Sequence, residues 1–360
     1  MPSQLTPSNR IAWIDAAKGA CILLVVLFHI NLFILQPSAL SDTLPSTIWN
    51  MAITAMTPLR MPLFFMISGL LAYSSVFSRS WQQVFQSRVG TMLWLYILWT
   101  VAHWGLDLFM ISHGRLDAIP EGQPIADNVI GLLWNALQGA TGIWYLYALA
   151  LYFVICKLFR HWILPTLITL ALIECFAGLV NDKWYLQSMS ENAVFFAFGC
   201  YGRNLLIRHF SAFNAKRFII LLFVAALPMP LVAQYDLLEQ PGIKLTMAFA
   251  LVFSAIDFFL LLSRWSNLKV LGFIGRRTLP IYVMHMFFVM LIAQYIVVPH
   301  EFEGTNTFII SLLAPLVLTL LIVGLCLALY AVLNRRQGKL LFSFPSLVSL
   351  WPAKPKAPIA

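Results

Sequence analysis

RIAWIDAAKGACILLVVLFHINLFILQ, residues Arg10 to Gln36, is the stretch on which the fold turns. A helix rising about 1.5 Å per residue needs about 20 apolar residues to cross a hydrocarbon core of roughly 30 Å, and this run is long enough. It also carries Asp15, Lys18 and His29. An ionisable group at the centre of a span costs at least about 2.5 kcal/mol, so such groups turn toward a protein interior or a wet cavity. The step from Lys18 to His29 is a rotation of roughly 1100°, three full turns and about 20°, which puts both on one face about 16 Å apart. Asp15 shares that face, and a pocket is expected along it.

The rest of the chain has the same character. Its 360 residues are 61% hydrophobic and only 10% charged, against about 25% charged in a soluble domain. Ten apolar runs are placed at 11–36, 48–77, 89–110, 142–159, 162–180, 192–208, 217–234, 245–263, 279–298 and 307–333. The expected fold is an all-α, polytopic helix bundle over residues 10–335 with no soluble domain. A basic, Pro-rich tail, 336–360, is expected to be unstructured or to lie on the membrane surface. The first run is too long and too polar for a signal peptide and is expected to remain in the mature chain.

The formal charge of +9 raises nucleic acid as a partner, but the distribution of charge argues against it. Of 23 Lys and Arg residues, 18 fall on one set of alternate loops; Arg115, Lys183 and Lys244 fall on the other, and Lys18 and Arg60 lie inside runs. Positive residues collect on the cytoplasmic side of a membrane protein, so both termini are expected in the cytoplasm and the bilayer is the partner. The five cysteines sit singly in apolar runs and read as small buried residues, without metal-ligand spacing.

Several polar residues inside the runs are candidates for chemistry. Arg60 falls near mid-membrane, where it is expected either to pair with an acid such as Glu174 or Asp257 or to bind a ligand. Ser68 and Gly69 favour close helix approach. Tyr282 and His285, three residues apart, are neighbours on one helix face. Trp144, Tyr145 and Tyr147 suit either an interfacial aromatic belt or a platform for a sugar ring. His103 is a third imidazole inside a run. The connection 111–141 contains VIGLLWNAL, too short to span and better suited to an interfacial or re-entrant helix over a cavity mouth. Imidazole, with an ordinary pKa of about 6.5, can take a proton from an alcohol near neutral pH. That makes His29 the candidate general base, with Lys18 as its basic partner.

Three motifs carry a resemblance. KGACILLVVLFH resembles the first-helix signature of the membrane-bound acyltransferase family 3, with a basic residue, ten residues and a histidine filled by Lys18 and His29. RMPLFFMISGLL is similar to the family's second-helix PLFFxxSGxL, and GRRTLPIYVMH to its late G-x-x-(S/T)-x-x-x-Y-x-x-H. The resemblance implies transfer of an acyl group, often acetyl, from cytoplasmic acyl-CoA to a carbohydrate hydroxyl beyond the membrane. It puts His29, with Lys18 and Asp15, at the catalytic position, with acyl-CoA as a donor substrate rather than a bound cofactor. Arg60, Ser68, Arg88, Tyr282, His285, Arg276, Arg277, Trp144 and Tyr145 are then candidates for substrate binding. Of these, Arg88, Arg276 and Arg277, together with Arg203, suit the phosphates of CoA. The chain departs from the pattern at Arg60, where sugar acetylases often have His, and at Arg88, which has no second arginine in an R-x-x-R pair. Two other readings stay open. Intramembrane His, Asp, Glu and Arg also mark proton-coupled transporters, and a non-catalytic partner in a glycan-assembly machine would tolerate the change at Arg60.

Overall fold

A backbone in hydrocarbon has no water to bond to, so apolar runs of this length satisfy their N–H and C=O groups internally, as helices. The computed structural model describes residues 12–113, 125–180, 182–228, 241–265, 268–297 and 305–345. Their helices are α1 (Ala12–Ile30), α2 (Leu44–Ala55), α3 (Thr57–Phe77), α4 (Trp81–Val84), α5 (Gly90–Ser112), α6 (Val129–Gln138), α7 (Trp144–Leu158) and α8 (Ile163–Val180). There follow α9 (Trp184–Tyr201), α10 (Arg203–His209), α11 (Ala215–Ala226), α12 (Ile243–Trp265), α13 (Lys269–Gly275), α14 (Thr278–Ile292) and α15 (Thr305–Leu333). Within the described residues every apolar run falls on helix, and the all-α bundle holds. Six of the helical stretches are long and apolar enough to cross a membrane, whereas α7 and α8 are apolar but shorter. Large apolar side chains such as Ile97, Leu172, Phe223 and Leu320 remain exposed on the outside of the bundle, the surface that lipid would cover.

The ends of the bundle differ in chemistry. At the end that carries most of the Lys and Arg, Lys157 is buried and its ammonium donates to the carbonyls of Ser75, Val76 and Arg79, at 3.3, 3.1 and 2.7 Å. It thereby closes the C-terminus of α3, where carbonyls have no helical partner. Also at this end, Arg217 holds Asp257 through two short bonds, 2.6 and 2.5 Å. At the opposite end, Asn50 of α2 accepts from Asn31 and Gln36, tying α2 to the π-helical turn Asn31–Leu35 that continues α1.

Two seams of glycine fix the helix spacing. A Cβ on Gly69 of α3 would lie 2.0 Å from the Phe196 carbonyl oxygen, and one on Gly199 of α9 would lie 2.0 Å from that of Met66. Gly19 of α1 and Gly275 of α13 meet the facing backbone in the same way. Backbones touch there because no side chain intervenes.

Four features differ from the sequence expectation. The second run is two helices, with α2 separate from α3. The sixth begins at Trp184, eight residues earlier than its hydropathy suggested, because its first turns are polar and face inward. α13 is an added short helix packed on α1. The first part of the tail is ordered: Arg336–Leu341 forms a 3-10 turn, the carbonyls of Leu340 and Leu341 accept from the indoles of Trp94 and Trp99, both at 2.9 Å, and Phe342 packs on Tyr330. Residues 346–360 and the HGRLDAIPEGQ part of the 111–141 connection lie outside the described residues, except for His113.

Candidate active site

Chain direction alternates through the bundle, so residues late in α1, early in α3, late in α5 and early in α7 and α9 all reach one end. That end is the one opposite the basic face. There they enclose a cavity of about 460 Å³. His29, Arg60, His103, Trp144 and Tyr282 line one part of it, and Glu174, Trp184, Ser188, Glu191 and Asn192 another. Leu132 and Asn135 of α6 lie along its rim. α6 has an Asn128 cap at its start, a left-handed Gly139 at its end and no buried residue, as suits a helix lying on the bundle at an interface.

Hydrogen bonds assign the protons on two of the imidazoles. His285 Nδ1 lies 2.7 Å from the Tyr282 carbonyl and 3.1 Å from that of Ile281. A carbonyl oxygen only accepts, so Nδ1 carries the proton, and in neutral imidazole Nε2 is then the acceptor. That Nε2 is 3.2 Å from His29 Nδ1, which also lies 2.8 Å from the Val25 carbonyl. His29 Nδ1 is therefore the donor to both, and His29 Nε2 keeps its lone pair. It has no hydrogen-bond partner among the described residues, on a side chain of the cavity wall. The two rings are 4.9 Å apart. His103, on the same cavity, makes a separate bond: its Nε2 donates to the Val283 carbonyl at 2.9 Å.

Arg60 is buried on the same wall, with its guanidinium 4.0 Å above the Phe28 ring. Among the described residues the ion pairs suggested by sequence are not formed: Asp257 is bound by Arg217 at the basic end, and Glu174 Oε2 makes no hydrogen bond. A cation stacked on an aromatic face keeps its N–H groups available for a ligand.

The other candidates separate into groups. Trp144 lines the cavity, but Tyr145 is buried behind it, stacked on Phe64 and bonded through its hydroxyl to Ser68 at 2.8 Å. Tyr145 is thus a core residue rather than part of an interfacial belt, and Ser68 lies behind the wall with it. The Tyr282 hydroxyl accepts from the Tyr145 N–H at 3.3 Å and so satisfies a first-turn donor of α7. Lys18 and Asp15 do not reach the cavity. Asp15 is buried against α13, 3.7 Å from Arg276, and half-buried Lys18 lies about 16 Å from His29 along α1. Arg277 sits over Phe273 and Arg203 over Tyr73, two separate places at the basic end, and Arg88 is half-buried before α5.

Sequence reasoning missed the wall built by Trp184, Ser188, Glu191 and Lys244. The available signal was the cluster of polar residues between Gln187 and Asn192, which reads as a loop by hydropathy and as the polar face of a helix by position.

A histidine pair, His285 buried and His29 half-buried on a cavity wall, beside a buried arginine in a bundle of apolar helices defines a class of integral membrane protein with a polar internal site. A family model described as an acyltransferase domain matches residues 11–331, and the chain belongs to that acyltransferase family. It is 28% identical over 199 residues to the inner membrane protein YcfT of Escherichia coli (strain K12), a match covering 52% of this chain and 55% of that protein. The match thus spans about half the length of this curated relative. No solved structure matches the chain.

Proposed function

We propose that the chain is an inner-membrane O-acyltransferase that moves an acyl group, acetyl in the simplest case, from cytoplasmic acyl-CoA to a carbohydrate hydroxyl on the far side. The observation that carries this reading is the unprotonated Nε2 of His29 on the cavity wall, held by its bond to His285 and placed on the same wall as Arg60. A neutral imidazole with one nitrogen anchored and the other open is equipped to act as a general base.

In the proposed step, His29 Nε2 takes the proton of the acceptor hydroxyl as its oxygen attacks the thioester carbonyl carbon. Negative charge develops on the carbonyl oxygen, and the Arg60 guanidinium offers donors to it. The C–S bond then breaks, the ester forms, and the proton on Nε2 passes to the departing CoA thiolate. His285 acts as a positioning residue, fixing the tautomer of His29. No permanently bound cofactor is needed.

Sidedness follows from the charge distribution. With both termini cytoplasmic, the cavity lies in the outer half of the bundle and Lys18, Arg276 and Arg277 at the inner end, where the donor's phosphates would be met. The glycine seam of α1 on α13 leaves no space for a ligand, so the pantetheine arm would rise along another face of α1. Mass analysis of envelope glycans from cells with and without the protein tests the reading. An ester of acetyl size that disappears with the protein is expected; identical glycans would contradict it.

A further inference from the structure

Among the described residues, four buried side-chain atoms on the cavity wall have no hydrogen-bond partner: Thr100 Oγ1, Glu174 Oε2, Trp184 Nε1 and Asn192 Oδ1. The last three lie on the adjacent helices α8 and α9, away from His29 in sequence but on the same cavity. Glu174 and Asn192 are each only 5% exposed, so bulk water does not satisfy them. A buried polar atom without a partner costs about 1–3 kcal/mol, and three on one side of a cavity point to a ligand that supplies the missing bonds.

The chemistry of that ligand follows from what is already committed. Glu191 Oε1 accepts from Lys244 and from Gln187, at 2.5 and 2.8 Å, so Lys244 is committed to Glu191. The Asn192 amide N–H donates to the Ser188 carbonyl at 2.8 Å, which leaves its oxygen as the open group. The wall thus offers two acceptors, one of them the Glu174 carboxylate, and one indole donor. Hydroxyl groups both donate and accept and so meet that mixture, whereas an ammonium only donates and an anion only accepts. A cavity of about 460 Å³ lies in the usual range for small-molecule sites, roughly 300–1,000 Å³.

Resting on the acyl-transfer reading, we propose that Glu174, Trp184 and Asn192 form the acceptor subsite, and that it takes a hydroxyl-rich sugar ring bearing no anionic group. Ring hydroxyls donate to Glu174 and Asn192, and one accepts from the Trp184 indole. An acidic substituent at this subsite is disfavoured because it meets Glu174 while the neighbouring Lys244 is already held by Glu191; Arg60 lines the other part of the cavity, where the proposed step uses it on the thioester oxygen.

Equilibrium dialysis of radiolabelled methyl glycosides against the purified full chain in detergent tests this. The probes are the glucose, galactose, mannose and N-acetylglucosamine glycosides, with the glucuronate and galacturonate glycosides as anionic counterparts. At least one neutral glycoside is expected to bind about tenfold more tightly than its uronate. Glu174→Gln, which preserves shape, narrows that gap to about twofold, and Asn192→Leu weakens the neutral glycoside by about tenfold. Absence of saturable binding by every neutral glycoside, equal binding of neutral and uronate forms, or an unaltered preference in Glu174→Gln overturns the proposal. The two readings fail separately. Sugar binding as described with acyl transfer unaffected by His29→Ala removes the transferase mechanism and keeps the subsite, while loss of transfer in His29→Ala with no sugar preference does the reverse.

Discussion

His29→Ala is expected to lower acyl transfer by 10²- to 10⁴-fold, the usual contribution of a positioned general base, while the protein extracts from the membrane as a folded species. The expectation follows from one bond. His285 Nδ1 is committed to backbone carbonyls, so His285 Nε2 must accept, and His29 must present its proton there and its lone pair to the cavity. His29→Gln separates chemistry from structure, because an amide still supplies a donor to His285 but cannot take a proton. Both variants are therefore expected to be equally inactive when assayed as purified protein with labelled acyl-CoA. His285→Ala retains the base but frees its tautomer, and is expected to fall between these variants and the unaltered protein. If either His29 variant keeps more than about a tenth of the rate, the base is another group and the assignment passes to His285.

The second large effect is on the fold. In Gly199→Val a new Cβ would be 2.0 Å from the Met66 carbonyl oxygen and 2.8 Å from its carbon, contacts that only backbone movement relieves. Gly69 presses on Phe196 along the same crossing, so α3 and α9 cannot separate locally. Overpacked cores lose about 1–3 kcal/mol when side chains can yield, and here the opposing atoms are backbone. We expect a loss of about 3 kcal/mol or more, seen as a large drop in the unfolding temperature in detergent or as failure to accumulate in the membrane. The same crossing sets the distance between the cavity walls, because Arg60 lies two to three turns before Gly69 on α3 and Asn192 about two turns before Gly199 on α9. A Gly199→Val protein with the original unfolding temperature would show that the seam is looser than its geometry.

Where sequence and structure agree, the reason is physical. Long apolar runs leave a membrane-spanning chain no alternative to helix, so α1, α3, α5, α12, α14 and α15 were legible from length alone. His29, Arg60, Trp144, Tyr282 and His285 were conspicuous because polar groups inside such runs need a purpose, and four of them line one cavity while His285 bonds directly to His29. The α9 wall was not legible in the same way. Its inward polar face lowers hydropathy just where the helix begins, so Glu191 looked like loop and Asn192 like the first residue of the run. Tyr145 was misread for the opposite reason: an aromatic residue near a run's end fits an interfacial belt, yet stacking on Phe64 and the bond to Ser68 draw it inside. Lys157 counted as loop charge, whereas three carbonyls at the end of α3 hold it in the interior. The docking of residues 336–345 on Trp94 and Trp99 depends on backbone carbonyls, which no side-chain pattern announces.

The claim that a donor from one side meets an acceptor from the other at His29 is tested most directly in proteoliposomes. Acyl-CoA, labelled in its acyl group, is trapped inside, and a neutral methyl glycoside is supplied outside. The account predicts labelled glycoside ester in the outer solution and an equal amount of free CoA thiol in the lumen, both absent with His29→Ala. Appearance of unmodified glycoside inside the vesicles, with no ester formed and no CoA released, would contradict it and identify a transporter.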